Sequence, residues 1–356
     1  MESRTDIKYI FNTENLKQGD ILIINSYTEP TLQKRLSSKY DHVAMYMGDA
    51  FILEADGLCA TMNHIHSYGF REIDDAIVMR LKHWNQTMID LVLLYARTKM
   101  GMEYGKLSAY YKTLLRDNGD NDTVNTNRTF CTRYIAQAYG MACINIVKNP
   151  DYCIPDDFIH SEHLCKVEDI LILAEDDEID LVKERQYQRK NDETLLASVF
   201  EKLRIVYDAD IQSFEQFLMA AIKHPEKDND AIRVFEELRF YDYNNQISKS
   251  QAWLLGSNAD FYDHYTTTED RLFCLLNQKL HYDKTYLPIF YQNVLILNIY
   301  ADFYSSSKLM RYLSDGFKHI LERAEEIRCK LDDLTLFVLE RDKQSAEKFI
   351  KRYGIY

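Results

Sequence analysis

The sequence predicts an α+β domain over residues 1–173 followed by an all-helical domain. Three observations carry this. Short β-rich apolar runs alternate with turn residues in the first part. A cysteine-bearing amphipathic stretch follows a polar loop in that same part. From about Ala174 the apolar residues recur at helical spacing without breakers, and the 356 residues hold only 11 Gly and 5 Pro. A chain of this length accommodates two cores.

The elements follow in order. DILIIN (20–25) reads as a buried strand after a turn at Gly19. HVAMYM (42–47) and FILEA (51–55) are β-rich runs separated by Gly48, Asp49 and Ala50, a hairpin signal. IVMRL (77–81) is a further strand. Residues 86–99 place Met88, Leu91, Val92, Tyr95 and Ala96 at helical spacing. RDNGDNDTVNTNR (116–128) is a loop, a candidate gate, and FCTRYIAQAYG (130–140) starts a helix at Cys131. KVEDILIL (166–173) closes the first domain as its last strand. Residues 174–193 are charged and poor in core residues, either a linker or an exposed first helix. Residues 194–356 carry six apolar-periodic runs and no repeat signature, so the second domain is all-helical and its role is open.

Composition excludes several classes. The net charge of −13 divides into −5 before residue 174 and −8 after it, the opposite of the basic balance of a nucleic-acid binder. The seven cysteines form no CxxC pair, which argues against zinc-ribbon and thioredoxin-type motifs. Their odd number and loose spacing fit a reducing compartment. MESRTDIKYIFN lacks the basic start and apolar core of a signal peptide. No apolar run reaches the ~18 residues of a transmembrane helix. Cytoplasmic synthesis is therefore expected, with delivery outside by an unconventional route left open.

The chemistry centres on Cys131. At a helix start its thiol lies near unpaired backbone N–H groups and the positive end of the helix dipole, which favour the thiolate. His42 and Glu54 upstream would supply a base and a group to orient it. If 42–47 and 51–55 pair about the Gly48–Asp49 turn, position 42 falls near 54 or 55. His42 alternates with Ala44 and Tyr46, and Glu54 with Ile52, so the two can share a face and a hydrogen bond. Glu54 would then fix the imidazole tautomer. Bland alternatives exist for each. Free cysteine is commonly a packing residue. A lone histidine at a strand start is commonly a satisfied core residue, and Glu54 could instead pair with Arg71 or Arg80. The three together favour catalysis. Asp20 is assigned to holding the Gly19 turn. His64-x-His66 and His160-x-x-His163 lack a matching Cys/Asp cluster, so no metal or other cofactor is implied. The other six cysteines are assigned to packing, and FYDYNNQ (240–246) to a helix end.

In papain-type enzymes the cysteine precedes the histidine; here the order is His42, Glu54, Cys131. LKQGDILI (16–23), DHVAMYM (41–47), ILEADG (52–57), FCTRYIAQAY (130–139) and IPDDFIHSEHLCKV (154–167) stand in that order. Together they resemble the circularly permuted NlpC-like papain-fold cysteine hydrolases (YiiX-like), relatives of the lecithin:retinol acyltransferase-like enzymes. The resemblance covers roughly residues 16–170. Ala44 stands where that family has Gly, Thr132 where Ser is common, and the region after 174 has no counterpart. The resemblance implies a permuted papain-like domain, catalytic Cys131 and His42 with Glu54 as third residue, and cleavage or transfer at a carbonyl through a thioester. Tyr104 falls where related folds carry an active-site-edge tyrosine; otherwise it is a loop aromatic. The implied substrate is a peptide, isopeptide or peptidoglycan-type amide. A lipid acyl ester is the alternative, and the acidic charge argues weakly against anionic membranes. A reading of another class is a papain-fold module that binds a protein partner through its helical domain.

Overall fold

Antiparallel strand pairing organises the part of the molecule that holds the candidate residues. The computed structural model describes residues 7–27, 33–34, 38–105, 127–244, 257–283 and 287–353. The chain forms two units, Met1–Ala220 and Ala221–Tyr356. Most of the predicted 116–128 gate lies outside the described residues.

The strands are β1 (Tyr9–Phe11), β2 (Ile21–Ile24), β3 (His42–Gly48), β4 (Phe51–Asp56), β5 (Cys59–His64), β6 (Ala76–Leu81), β7 (Leu164–Val167) and β8 (Leu171–Leu173). Six of them form one sheet in the order β5-β4-β3-β2-β6-β7, and β1 pairs with β8 in a separate ribbon. All these pairs are antiparallel. Helices α1 (Gln86–Thr98), α2 (Cys131–Met141), α3 (Pro155–Ile159) and α4 (Asp176–Tyr207) belong to the same unit, and α5 (Phe214–Lys223) crosses into the second. Leu22, Ile24, Ala44, Tyr46, Ile52 and Val78 pack on one sheet face with Tyr68 and Phe70. Removing these side chains from water is the main force holding the sheet to its cover.

The β3–β4 turn sets the site's register. Asp49 (φ 49°) and Ala50 (φ 65°) take the two positive φ values of a type I′ hairpin. An irregularity between Tyr46 and Gly48 then places Glu54 opposite Ala44. Glu54 is therefore diagonal to His42 rather than directly across from it. The strand period of two still puts both on one face.

Three sequence expectations change in detail. On α1 the buried set is Ile89, Val92, Leu93 and Ala96, while Met88 and Leu91 are exposed. The helical period holds, with its phase shifted by about one residue. β5 was not anticipated, because CATMNH lacks a strong β signature; its pairing with β4 along the full strand supplies what propensity does not. The stretch 166–173 is not one strand. It breaks at Asp169 (φ 54°) into the end of β7 and all of β8, which join different sheets.

Of the two readings of 174–193 the helix holds: the stretch from Asp176 is the first part of the 32-residue helix α4. It is not simply exposed, because α4 packs against β5 and the 3-10 turn Ile65–Ser67. Val182 on this stretch is fully buried. The unit boundary accordingly lies near residue 220, beyond the 173–194 interval read from composition.

Gly101 (φ 88°) marks how closely α4 approaches. A Cβ there would overlap the Phe200 ring on α4. Gly101→Ala combines left-handed strain with a hard clash, and we expect it to cost about 2–4 kcal/mol. Urea denaturation measures this; a midpoint equal to wild type would contradict the packing.

The second unit contains α6 (Asp228–Glu237), α7 (Phe240–Asn244), α8 (Asn258–His264), α9 (Thr268–His281), α10 (Leu287–Phe303), α11 (Lys308–Arg341) and α12 (Lys343–Tyr353). Its core gathers Leu272, Leu275, Leu331, Leu334, Val338 and Phe349. The run read as 286–312 is divided at Ser307, whose hydroxyl caps α11 by accepting from the Met310 N–H at 3.2 Å. No helix among the described residues is long and apolar enough to cross a membrane.

Candidate functional site

Glu54 is the structural centre of the site. β4 lies between β3 and β5, so its middle is flanked on both sides, by Ala44 and Thr61. The Glu54 side chain is fully buried. A buried carboxylate is tolerated only if donors surround it, and four do. Oε2 accepts from His42 Nε2 at 2.8 Å and from the Tyr68 hydroxyl at 2.6 Å. Oε1 accepts from Asn63 Nδ2 at 2.7 Å and faces Arg189 Nε at 3.0 Å. Burial alone would raise the Glu54 pKa. The Arg189 charge and the His42 and Tyr68 hydrogen bonds outweigh it and hold the group down to about 2.

His42 opens β3. Asp41 anchors that strand start through the Ser26 N–H at 2.7 Å and the Ser26 hydroxyl at 3.0 Å. Tyr68 stacks on the imidazole with ring centroids 6.0 Å apart. Because Nε2 is committed to Glu54, Nδ1 is the nitrogen left for the thiol. Burial opposes a charged ring, but hydrogen bonding to Cys131 and to Glu54 raises the His42 pKa well above 6.5. Hydrogen bonding on both sides of the ring thus favours its charged form.

Cys131 is the first residue of α2, and Phe130 before it is extended and offers no side-chain cap. The first intrahelical bond runs from the Tyr134 N–H to the Phe130 carbonyl at 2.9 Å. The N–H groups of the opening turn thus point to the thiol's end of the helix. Thr132 donates its hydroxyl to the Cys153 carbonyl at 2.7 Å, and Arg133 reaches Asp151 at 3.0 Å and the Arg128 carbonyl at 2.8 Å. These bonds fix the opening turn, with Cys131 itself buried.

The three expected residues, Cys131, His42 and Glu54, are brought together. Tyr104 reaches this neighbourhood through its backbone: it bridges to Thr129, two residues before Cys131. The alternative partners of Glu54 are excluded by geometry. Arg80 makes a two-pronged pair with Asp20, both bonds 2.7 Å, and Arg71 lies over the Tyr27 ring at 4.8 Å. Asp20 also accepts the Lys17 N–H at 2.8 Å, so it holds the turn as expected. Among the described residues no His/Cys/Asp/Glu group has the arrangement of a metal site.

Sequence reading missed three contributors: Asn63, Tyr68 and Arg189. Asn63 and Tyr68 belong to the unanticipated β5 and the turn after it. Arg189 sits in the charged stretch. Its one signal is register, since it stands seven residues after buried Val182 and seven before Leu196, an apolar position of the helix stripe. No protein-family model matches this chain, and no curated protein matches it.

Proposed function

We propose that this chain is a cysteine hydrolase that cleaves an amide bond through a thioester acyl-enzyme. The carrying observation is the buried relay in which Glu54 holds His42 Nε2 and leaves Nδ1 for a thiol at a helix N-terminus. Such a relay can supply each step. The Cys131 thiolate adds to the carbonyl carbon, and the resulting oxyanion sits near the first-turn N–H groups of α2, among them that of Cys131. Collapse breaks the C–N bond while His42 gives its proton to the departing amine. Water then adds to the thioester with His42 taking its proton, and collapse releases the carboxylic acid and Cys131. Glu54 keeps the ring oriented and stabilises its charge throughout. An ester would be opened by the same attack, so assays should carry amide and acyl-ester substrates in parallel.

The test is labelling with a thiol-selective acyl electrophile, with the adduct located by mass spectrometry. Rapid modification confined to Cys131, and lost in His42→Ala, is the expected result. Slow modification spread over all seven cysteines would overturn the proposal and favour the partner-binding reading.

A further inference from the structure

We propose that Arg189 on α4 is a positioning residue for the Cys131–His42–Glu54 site, so that the reacting unit includes α4. This rests on the hydrolase reading above but extends it to a helix that lies outside the resemblance to known hydrolases.

The geometry carries the assignment. Arg189 places Nε 3.0 Å from Glu54 Oε1 and Nη2 2.6 Å from Asp56 Oδ2. Its guanidinium lies over the Tyr68 ring at 4.6 Å, and Tyr68 in turn donates to Glu54 and stacks on His42. One side chain thus touches two of the groups that shape the imidazole's surroundings. A planar fork suits this, because it bridges two carboxylates on one strand while presenting its face to a ring. Glu193, one turn further along α4, accepts from the Leu58 N–H in the β4–β5 turn and holds the helix against the strand ends.

The charge balance explains the role. The titratable groups facing Glu54 are His42 from β3, Asp56 on β4, Tyr68, Arg189 and Glu193 from α4, and Tyr134 from α2, with Cys131 acting through His42. Asp56 and Glu193 are acidic, and burial keeps Tyr68 a neutral phenol. Arg189 is therefore the permanent cation of the set. Without it, the buried carboxylate is balanced by His42 alone, and protonation of Glu54 moves into the range of ordinary carboxyl groups or above. A protonated Glu54 no longer supports the imidazolium that faces Cys131.

The experiment measures the rate of Cys131 alkylation by iodoacetamide against pH in the full chain, with no substrate involved. In Arg189→Gln the acid limb should move up by about one unit or more, a tenfold or larger loss of rate within that limb. In Arg189→Ala, free guanidinium at millimolar concentration should restore the wild-type limb, and equal sodium chloride should not. The rescue has a route, because a cleft of about 220 Å³ lined by Arg189, Tyr68 and Asp56 opens beside the network. A residue that only stabilises the fold would lower the melting temperature and leave the limb in place; that result overturns the proposal. Should the neutral variants fail to fold, Arg189→Lys decides. It keeps the charge beside Glu54 and must retain the wild-type limb, and a shifted limb there refutes the charge argument. A reactive Cys131 in a wild-type protein that opens no amide or ester would sink the hydrolase reading while leaving this one standing. An unmoved limb in a protein that does hydrolyse would do the reverse.

Discussion

Cys131→Ser is expected to retain the fold and lose turnover by about 10³-fold or more. The substitution changes one buried atom and leaves the helix, its first-turn N–H groups and the His42–Glu54 bond in place, so the melting temperature should stay close to wild type. What disappears is the sulfur nucleophile. A serine hydroxyl is a far weaker one unless its proton is removed during attack. The loss should fall on kcat and kcat/KM together, as it does for an interaction made only in the reaction itself. A second readout needs no substrate. Cys131 is among the causes that raise the His42 pKa, so the imidazole should titrate at lower pH in Cys131→Ser, followed by histidine NMR. An unchanged His42 titration would mean that thiol and ring are not paired in solution.

Glu54→Gln carries the largest expected loss of stability, about 3–5 kcal/mol, because it leaves buried Arg189 without its counter-charge. An amide also presents donors where His42, Tyr68, Asn63 and Arg189 already donate, so some of these bonds must break. Turnover should fall by about 10²-fold or more as the imidazole loses its orientation. The pH dependence gives a sharper check. Glu54 is held at about 2 against an ordinary value of 4.5. A depressed carboxyl contributes stability that is present above 4.5 and is lost as pH falls toward 2, on the order of 3 kcal/mol. His42 is displaced upward from 6.5, so its contribution is present below 6.5 and fades as pH rises through the folded value. The two together place the site's greatest stabilisation between pH 4.5 and 6.5. In Glu54→Gln the acid side of the stability curve should flatten. Parallel acid limbs in wild type and variant would show that Glu54 does not carry this charge.

Local signals were sufficient for Cys131, His42 and Glu54. A cysteine after a polar loop and before a helical period, and a histidine and glutamate at matching phase on two β-rich runs, can be read from nearest neighbours in the chain. The α+β character of the first part and the helical texture of the second follow from the same short-range periodicities. The hairpin's register could be placed only to within a residue or two. The bulge between Tyr46 and Gly48 that sets it is a backbone choice made in context.

Arg189 shows where such reading ends. In sequence it stands among acidic and basic neighbours 135 residues from Glu54 and looks like any residue of a solvated helix. Whether a charged side chain meets water or a buried carboxylate depends on which helix covers which strand end, and that is decided by packing between distant segments. Asn63 and Tyr68 are the same case, polar groups whose burial follows from β5 adding to β4. The amino-acid sequence by itself determined the helix start at Cys131 and the strands that carry His42 and Glu54, because those are local patterns of period and chemistry. Only the tertiary structure decided what keeps the buried carboxylate charged, because its counter-ion comes from a helix that the chain reaches only after the sheet is complete.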